Sequence, residues 1–160
     1  MKKLTQEQIY FLTMYVRGKW VLNNKGEIDV DGNVDFEEKD IEEIPVQFGK
    51  VSGYFDCSWN NLTSLKGSPR WVGGYFRCNN KNKLTSLKYC PKYIGGRFTF
   101  FNNKIENLDY FPEYVGGYID GHYHKGNPGN FTQEDYEKAL KLSRLNDRKR
   151  KIKQIKELND

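Results

Sequence analysis

The chain has 160 residues, 37% of them hydrophobic and 15% aromatic, with a formal net charge of +5. That length suits one domain and is short for two. No stretch approaches the ~20 consecutive apolar residues of a membrane span, and no basic-then-apolar secretion signal opens the chain, so a cytoplasmic protein is expected.

The net charge conceals a separation. Nine acids and one base (Lys39) lie between Glu27 and Glu43, whereas seven bases and one acid (Asp147) lie between Arg144 and Lys156. A molecule with two such poles has its encounters with partners biased by charge, while its fold is set elsewhere.

At the N-terminus, Thr5 followed three residues later by Gln8 has the layout of a capping box, and Ile9, Leu12 and Val16 share one helical face before Gly18. A helix over 5–17 is predicted. Val21-Leu22, the Asn23-Asn24-Lys25-Gly26 turn, and Ile28 and Val30 alternating with acids predict a hairpin. Residues 1–30 thus form a cap over whatever core follows. Asp29, Asp31 and Asp35 alternate with the apolar positions and are expected to face out. There they form either a solvated edge that deters aggregation or an acidic surface for a basic partner.

From Asp31 to Tyr123 one pattern returns four times and begins a fifth pass: 31–51, 52–72, 73–94, 95–115, then 116–123. The period is 21, with one residue inserted in the third copy. The apolar columns are Val34, Phe55, Phe76, Phe98, Ile119; Phe36, Cys57, Cys78, Phe100; Ile41, Leu62, Leu84, Ile105; and Ile44, Leu65, Leu87, Leu108. An asparagine column holds Asn60, Asn82 and Asn103. This LxxLxLxxNxL spacing is the leucine-rich-repeat signature and predicts an α/β repeat, a short solenoid over 31–125 with one short strand per coil in a parallel sheet. Strand alternation sends Phe55 and Cys57 inward. It sends outward a first column of Asn33, Tyr54, Tyr75, Arg97 and Tyr118, and a second of Asp35, Asp56, Arg77, Thr99 and Asp120. A third outward column holds Glu37, Ser58, Asn79, Phe101 and His122, with Trp59 and Tyr123 at its margin.

Gly73-Gly74, Gly95-Gly96 and Gly116-Gly117 enter each strand, where positive φ is expected. The asparagines are expected to bond neighbouring backbone at the turn that leaves it. The return limbs each carry a proline, which favours extended or 3₁₀ segments over helix, and Trp71, Tyr93 and Tyr114 recur at one position as a ladder. The three cysteines, without a CxxC, read as small buried hydrophobes kept reduced, with a zinc or redox site as the minor alternative.

The wording of the repeats, NNLTSLKGSPRWVGGYFRC and NKLTSLKYCPKYIGGRF preceded by IPVQFGKVSGYFDC, resembles short leucine-rich-repeat proteins of tailed bacteriophages over roughly residues 19–123. More distantly, the period is similar to that of bacterial effector repeats that recognise host proteins, though no catalytic domain like theirs is present. The resemblance implies a phage accessory protein acting inside a bacterium and supplies no catalytic residues.

Gly126-Asn127-Pro128-Gly129-Asn130 breaks the pattern, and 126–160 form a linker and a basic helix starting near Phe131-Thr132 and running to about Leu158. Tyr136, Ala139 and Leu140 are placed to cap the last coil. Leu145, Ile152, Ile155 and Leu158 form too thin a stripe to hold a core, so the end of the helix is expected to project.

No phosphate loop, nucleophile elbow or HExxH occurs. His122 and His124, with Asp120, make a weak metal candidate, and Asp56 and Asp120 stand too many coils apart to share acid/base work. The expectation is therefore a non-enzymatic protein, without cofactor or metal. Its leading reading is a protein-binding module that inhibits or modulates a host protein, a defence factor among the candidates. The binding strip comprises Tyr54, Asp56, Trp59, Tyr75, Arg77, Arg97, Thr99, Phe101, Tyr118, Asp120, His122 and Tyr123, rich in interface-forming residue types. The alternative is nucleic-acid or ribonucleoprotein binding through Arg144, Arg148, Lys149, Arg150, Lys151, Lys153 and Lys156, a set that also reads as a solvated helix or as a partner for the chain's own acidic cap. A third reading is a purely structural role, a small virion or assembly component whose acidic cap and basic tail associate head to tail, a heterologous contact of the kind that builds open chains, with a small oligomer also open.

Overall fold

The computed structural model describes residues 3–79, 83–121 and 131–159. Helix α1 (Gln6–Tyr15) opens on the predicted capping box: the Gln8 amide donates to the Thr5 hydroxyl at 3.2 Å, and the Thr5 amide donates to Gln8 Oε1 at 3.0 Å. The helix is shorter than predicted and buries Phe11 and Leu12 while Ile9 is left exposed. Its end is set by pairing. Val16 already belongs to strand β1 (Val16–Leu22), which runs antiparallel to β2 (Ile28–Asp35) with Val16 opposite Val34 and Gly18 opposite Gly32. Gly18 and Gly32 have φ of 136° and 144°, and a Cβ on either would collide with the facing backbone, so the two strands approach this closely only as glycine on glycine.

β2 is long enough to start two ladders at once. Its first half pairs in parallel with β3 (Phe48–Val51) and its second half with β4 (Phe55–Asp56). Each later coil adds one short strand to each ladder. β5 (Trp71–Val72), β7 (Tyr93–Ile94) and β9 (Tyr114–Val115) extend the first ladder. β6 (Phe76–Arg77), β8 (Phe98–Thr99) and β10 (Ile119–Asp120) extend the second. The chain is thus a short repeat solenoid with a parallel sheet, as its period demands, and the return limbs contribute strands of their own.

The paired glycines join the two ladders at the corner of each coil. Gly73, Gly95 and Gly116 stay outside the left-handed region, contrary to expectation. Glycine is needed there for contact between coils. A Cβ on Gly95 would overlap the Gly73 carbonyl oxygen, and the Gly96 amide donates to the Gly74 carbonyl at 2.8 Å. The left-handed positions fall elsewhere: at Glu38, Trp59 and Asn102 where the chain leaves the strand, and at Gly67, Tyr89 and Tyr110 on the return limb.

Inside, Phe55, Phe76 and Phe98 pile up in register, with Leu62, Leu65, Leu84 and Leu87 behind them, all fully buried. Asn60 is buried and bonds as predicted: its Nδ2 lies 2.8 Å from the Phe36 carbonyl and 3.1 Å from that of Cys57, and its Oδ1 accepts from the amides of Lys39 and Ile41. Asn103 repeats the bonding to Cys78 and Phe100. Asn82 lies outside the described residues. Cys57, Cys78 and Cys90 are buried and not joined by disulfides, and burial pushes all three thiols well above their usual range.

Helix α2 (Gln133–Asn159) closes the far end. Its first turn is capped by Thr132 and Asp135, whose amides each donate to the other's side chain. Tyr136 is buried against Phe111, the rings 5.9 Å apart and 8° from parallel, and its hydroxyl accepts from the Gly121 amide at 3.0 Å. Ala139 and Leu140 pack partly buried beside it. Among the described residues no helix is long and apolar enough to cross a membrane.

Candidate functional site

The outward columns of the second ladder form a strip along the solenoid. In its first column the coil spacing brings side chains to stacking distance. The rings of Tyr54 and Tyr75 lie 4.5 Å apart and 7° from parallel. Arg97 takes the place of the next ring: its guanidinium lies 4.9 Å from the Tyr75 ring and 5.9 Å from that of Tyr118. Cation and aromatic faces attract electrostatically, so one Arg continues a tyrosine stack without a gap. Asn33 begins the column differently, accepting the Tyr54 amide on its Oδ1 at 2.9 Å.

The second column departs from expectation. Asp56 and Thr99 project outward yet are only 2% and 3% exposed, each on a strand paired with a neighbouring coil on either side; Ser58 and Asn79 in the third column are buried too. Asp56 survives there through partners: Arg77 Nη1 lies 3.1 Å away, and the Ser58 amide donates to it at 3.0 Å. Burial still holds the Asp56 carboxyl above its usual range, the Arg77 charge and the Ser58 bonds opposing the rise. Glu37 is raised likewise, by desolvation first and then by Asp56. Asp56 and the half-buried Arg77 are therefore a structural pair, while Tyr54, Trp59, Tyr75, Arg97, Phe101, Tyr118 and Asp120 keep exposed or half-buried surface along the strip.

Arg97 differs from Arg77 in having no carboxylate partner among the described residues; Nη1 reaches only the Tyr118 hydroxyl, at 3.4 Å. In the same coil Arg97 Nε and Thr99 Oγ1 are buried without a hydrogen-bond partner. Trp59 is 44% exposed and has φ of 57°, a conformation costly for a bulky side chain, and the left-handed turn stands the indole up at the strip margin. Asp120 ends the strip on β10. His122, Tyr123 and His124 lie outside the described residues. Among the described residues no three His, Cys, Asp or Glu side chains gather as a metal site.

A second stack runs beside the first on the return strands. The Lys50 ammonium lies 4.4 Å from the Trp71 ring, Trp71 stacks on Tyr93 at 5.2 Å, and Tyr93 on Tyr114 at 4.7 Å. The recurrence of aromatics at this position showed the ladder in the sequence. The matching role of Arg97 in the other ladder was not visible there.

The basic candidates divide. Arg144 Nε donates to the Glu113 carbonyl at 2.8 Å, Arg150 reaches the Glu113 carboxylate at 3.3 Å, and Lys151 pairs with Asp147 at 2.6 Å. These side chains hold α2 on the last coil or within itself. Lys153 is within 3.7 Å of Glu157, while Arg148, Lys149 and Lys156 are exposed. The acids of the first coil also work locally: Glu27 pairs with Arg70, Asp29 accepts the Lys50 amide, and Asp31 accepts the Ser52 hydroxyl. Every described polar contact of α2 outside the helix itself goes to the last coils, at the opposite end from the acidic cap, so pairing of the basic helix with the chain's own cap is not what this fold makes.

No family model, curated protein or solved structure matches the chain.

Proposed function

We propose that the chain is a non-enzymatic module that binds another protein through the strip. In keeping with the resemblance of its repeats to those of phage accessory proteins, the partner is a bacterial host protein, with defence factors among the candidates, which binding inhibits or modulates. The observation that carries this reading is the Tyr54–Tyr75–Arg97–Tyr118 stack. Tyrosine, tryptophan and arginine dominate interface hot spots. Here mutual stacking holds them in place, so ordering them costs little of the binding energy. A solenoid presents such a strip as one extended surface.

The test is capture of partners from bacterial lysate by the tagged chain after nuclease treatment, comparing the native sequence with an Arg97→Ala/Tyr118→Ala variant. A partner bound by the native chain and lost with the variant supports the strip. A partner retained by the variant moves the interface elsewhere.

A second reading has its own support in exposed Arg148, Lys149 and Lys156, which carry no ion pair among the described residues and suit phosphates. Binding of nucleic acid that weakens steeply with salt, and that Arg148→Ala/Lys149→Ala abolishes, would favour it. Binding indifferent to salt would dismiss it.

A further inference from the structure

Two surfaces at opposite ends of the molecule complement each other, and among the described residues no polar contact joins them within one chain. At the cap end a groove of about 370 Å³ opens between the start of α1, the hairpin turn and the first two return limbs. Leu4, Leu22, Ile44, Pro45 and Val46 line it. Glu42 and Glu43 stand on its edge, both exposed, with Lys3 and Lys66 also on the lining. Exposed Glu38 lies on the same loop.

At the other end, the last described tertiary bond of α2 is made by Arg150 to Glu113. The following turns carry Ile152, Ile155 and Leu158, which are 50%, 59% and 85% exposed. Spaced three apart, they form one ridge of the kind that packs into a groove. Lys153 and Lys156 flank it.

We propose that this ridge seats in the cap groove of a second copy, Ile152, Ile155 and Leu158 on the apolar lining and Lys153 and Lys156 beside Glu42 and Glu43. Pairing of two such ridges with each other is disfavoured, because it would bring two basic segments together. A nucleic acid suits the lysines but not the aliphatic ridge. The contact is heterologous, so repetition builds open chains and does not stop at a closed dimer.

The experiment is sedimentation of the full chain over a range of concentrations, with nuclease-treated protein. The expected result is a weight-average mass that grows with concentration without a plateau at dimer, and an association constant falling at least roughly tenfold as salt is raised through the range that shortens the Debye length. Glu42→Lys/Glu43→Lys and Lys153→Glu/Lys156→Glu should each be monomeric alone, with unchanged circular dichroism, and should associate when mixed. Ile155→Ser tests the apolar half and should also weaken association. A native chain that stays monomeric throughout, association unchanged by either charge reversal, or association lost only on nuclease treatment each overturns the proposal.

Discussion

Arg77 Nη1 lies 3.1 Å from Asp56 Oδ2, joining two successive coils across the strip at a carboxylate that is almost fully buried. Removing one member of such a pair leaves an uncompensated charge. Arg77→Met should therefore destabilise the fold by about 3 kcal/mol at neutral pH, measured by urea unfolding. The pH dependence has a definite sign. Because the folded-state pKa of Asp56 is raised above its ordinary value, its contribution to stability is fully present below the ordinary carboxylate range and is lost as pH rises through the raised value. Without Arg77 the pKa climbs further, so the variant should regain stability relative to the native chain on acidification, and a deficit constant with pH would refute this account. For the same reason Arg97 is a better probe of binding than Arg77.

Gly95 should resist any side chain. A Cβ there would meet the Gly73 carbonyl oxygen of the coil below, which is backbone and cannot swing away. Gly95→Ala is expected to cost about 3 kcal/mol or more. Gly26 has φ of 76° but open space around its missing Cβ, so Gly26→Ala should cost only about 1 kcal/mol. Equal losses in thermal unfolding would contradict the close-packing explanation.

Asn60 serves carbonyls with its amide and backbone amides with its oxygen. Asn60→Asp keeps the shape but turns an anion toward the carbonyls of Phe36 and Cys57, so it should be at least as damaging as Asn60→Ala, with losses of about 3 kcal/mol. An Asp variant as stable as the native chain would mean that the donor side of this residue is unimportant.

Tyr136 anchors α2. Its ring packs on Phe111 and its hydroxyl accepts the Gly121 amide. Tyr136→Phe should cost about 1 kcal/mol and Tyr136→Ala about 3 kcal/mol or more. Loss of the anchor should also lower the far-UV helical signal, since the helix beyond Arg150 has no described tertiary bond of its own and short of its docking has little to sustain it.

The three cysteines are buried with thiols held protonated. In the native protein they should resist a thiol-specific reagent, and all three should label together at the rate of unfolding. Rapid labelling of one of them under native conditions would point to local opening of its coil.

The coil boundaries and the buried columns were legible from residues 31–123 because each is a rule repeated from copy to copy, and the asparagine turns at Asn60 and Asn103 because the same residue recurs at the same step. A residue such as Phe76 or Leu65 obeys the same local geometry whichever neighbour it meets. The N-terminal helix reads too long from the sequence because Val16 fits the helical stripe of Ile9 and Leu12, while the partner that claims it, Val34 on β2, lies far along the chain. The glycine pairs stand out in the sequence, but the reason for them does not: turning is a property of one residue, whereas the collision a Gly95 side chain would make with a carbonyl 22 residues away is a property of stacking.

The amino-acid sequence alone determined that this protein is a solenoid, which side chains fill its core and which columns run along its face, because a 21-residue period is a local instruction executed at every coil. Tertiary structure decided what those columns are worth. Coils packed at strand spacing bury Asp56, Ser58 and Thr99 although they point outward, insert Arg97 between two tyrosines, and set the acidic cap and the basic end of α2 at opposite ends of the stack. Exposure and charge pairing depend on neighbours in space, and those neighbours exist only once the chain has coiled.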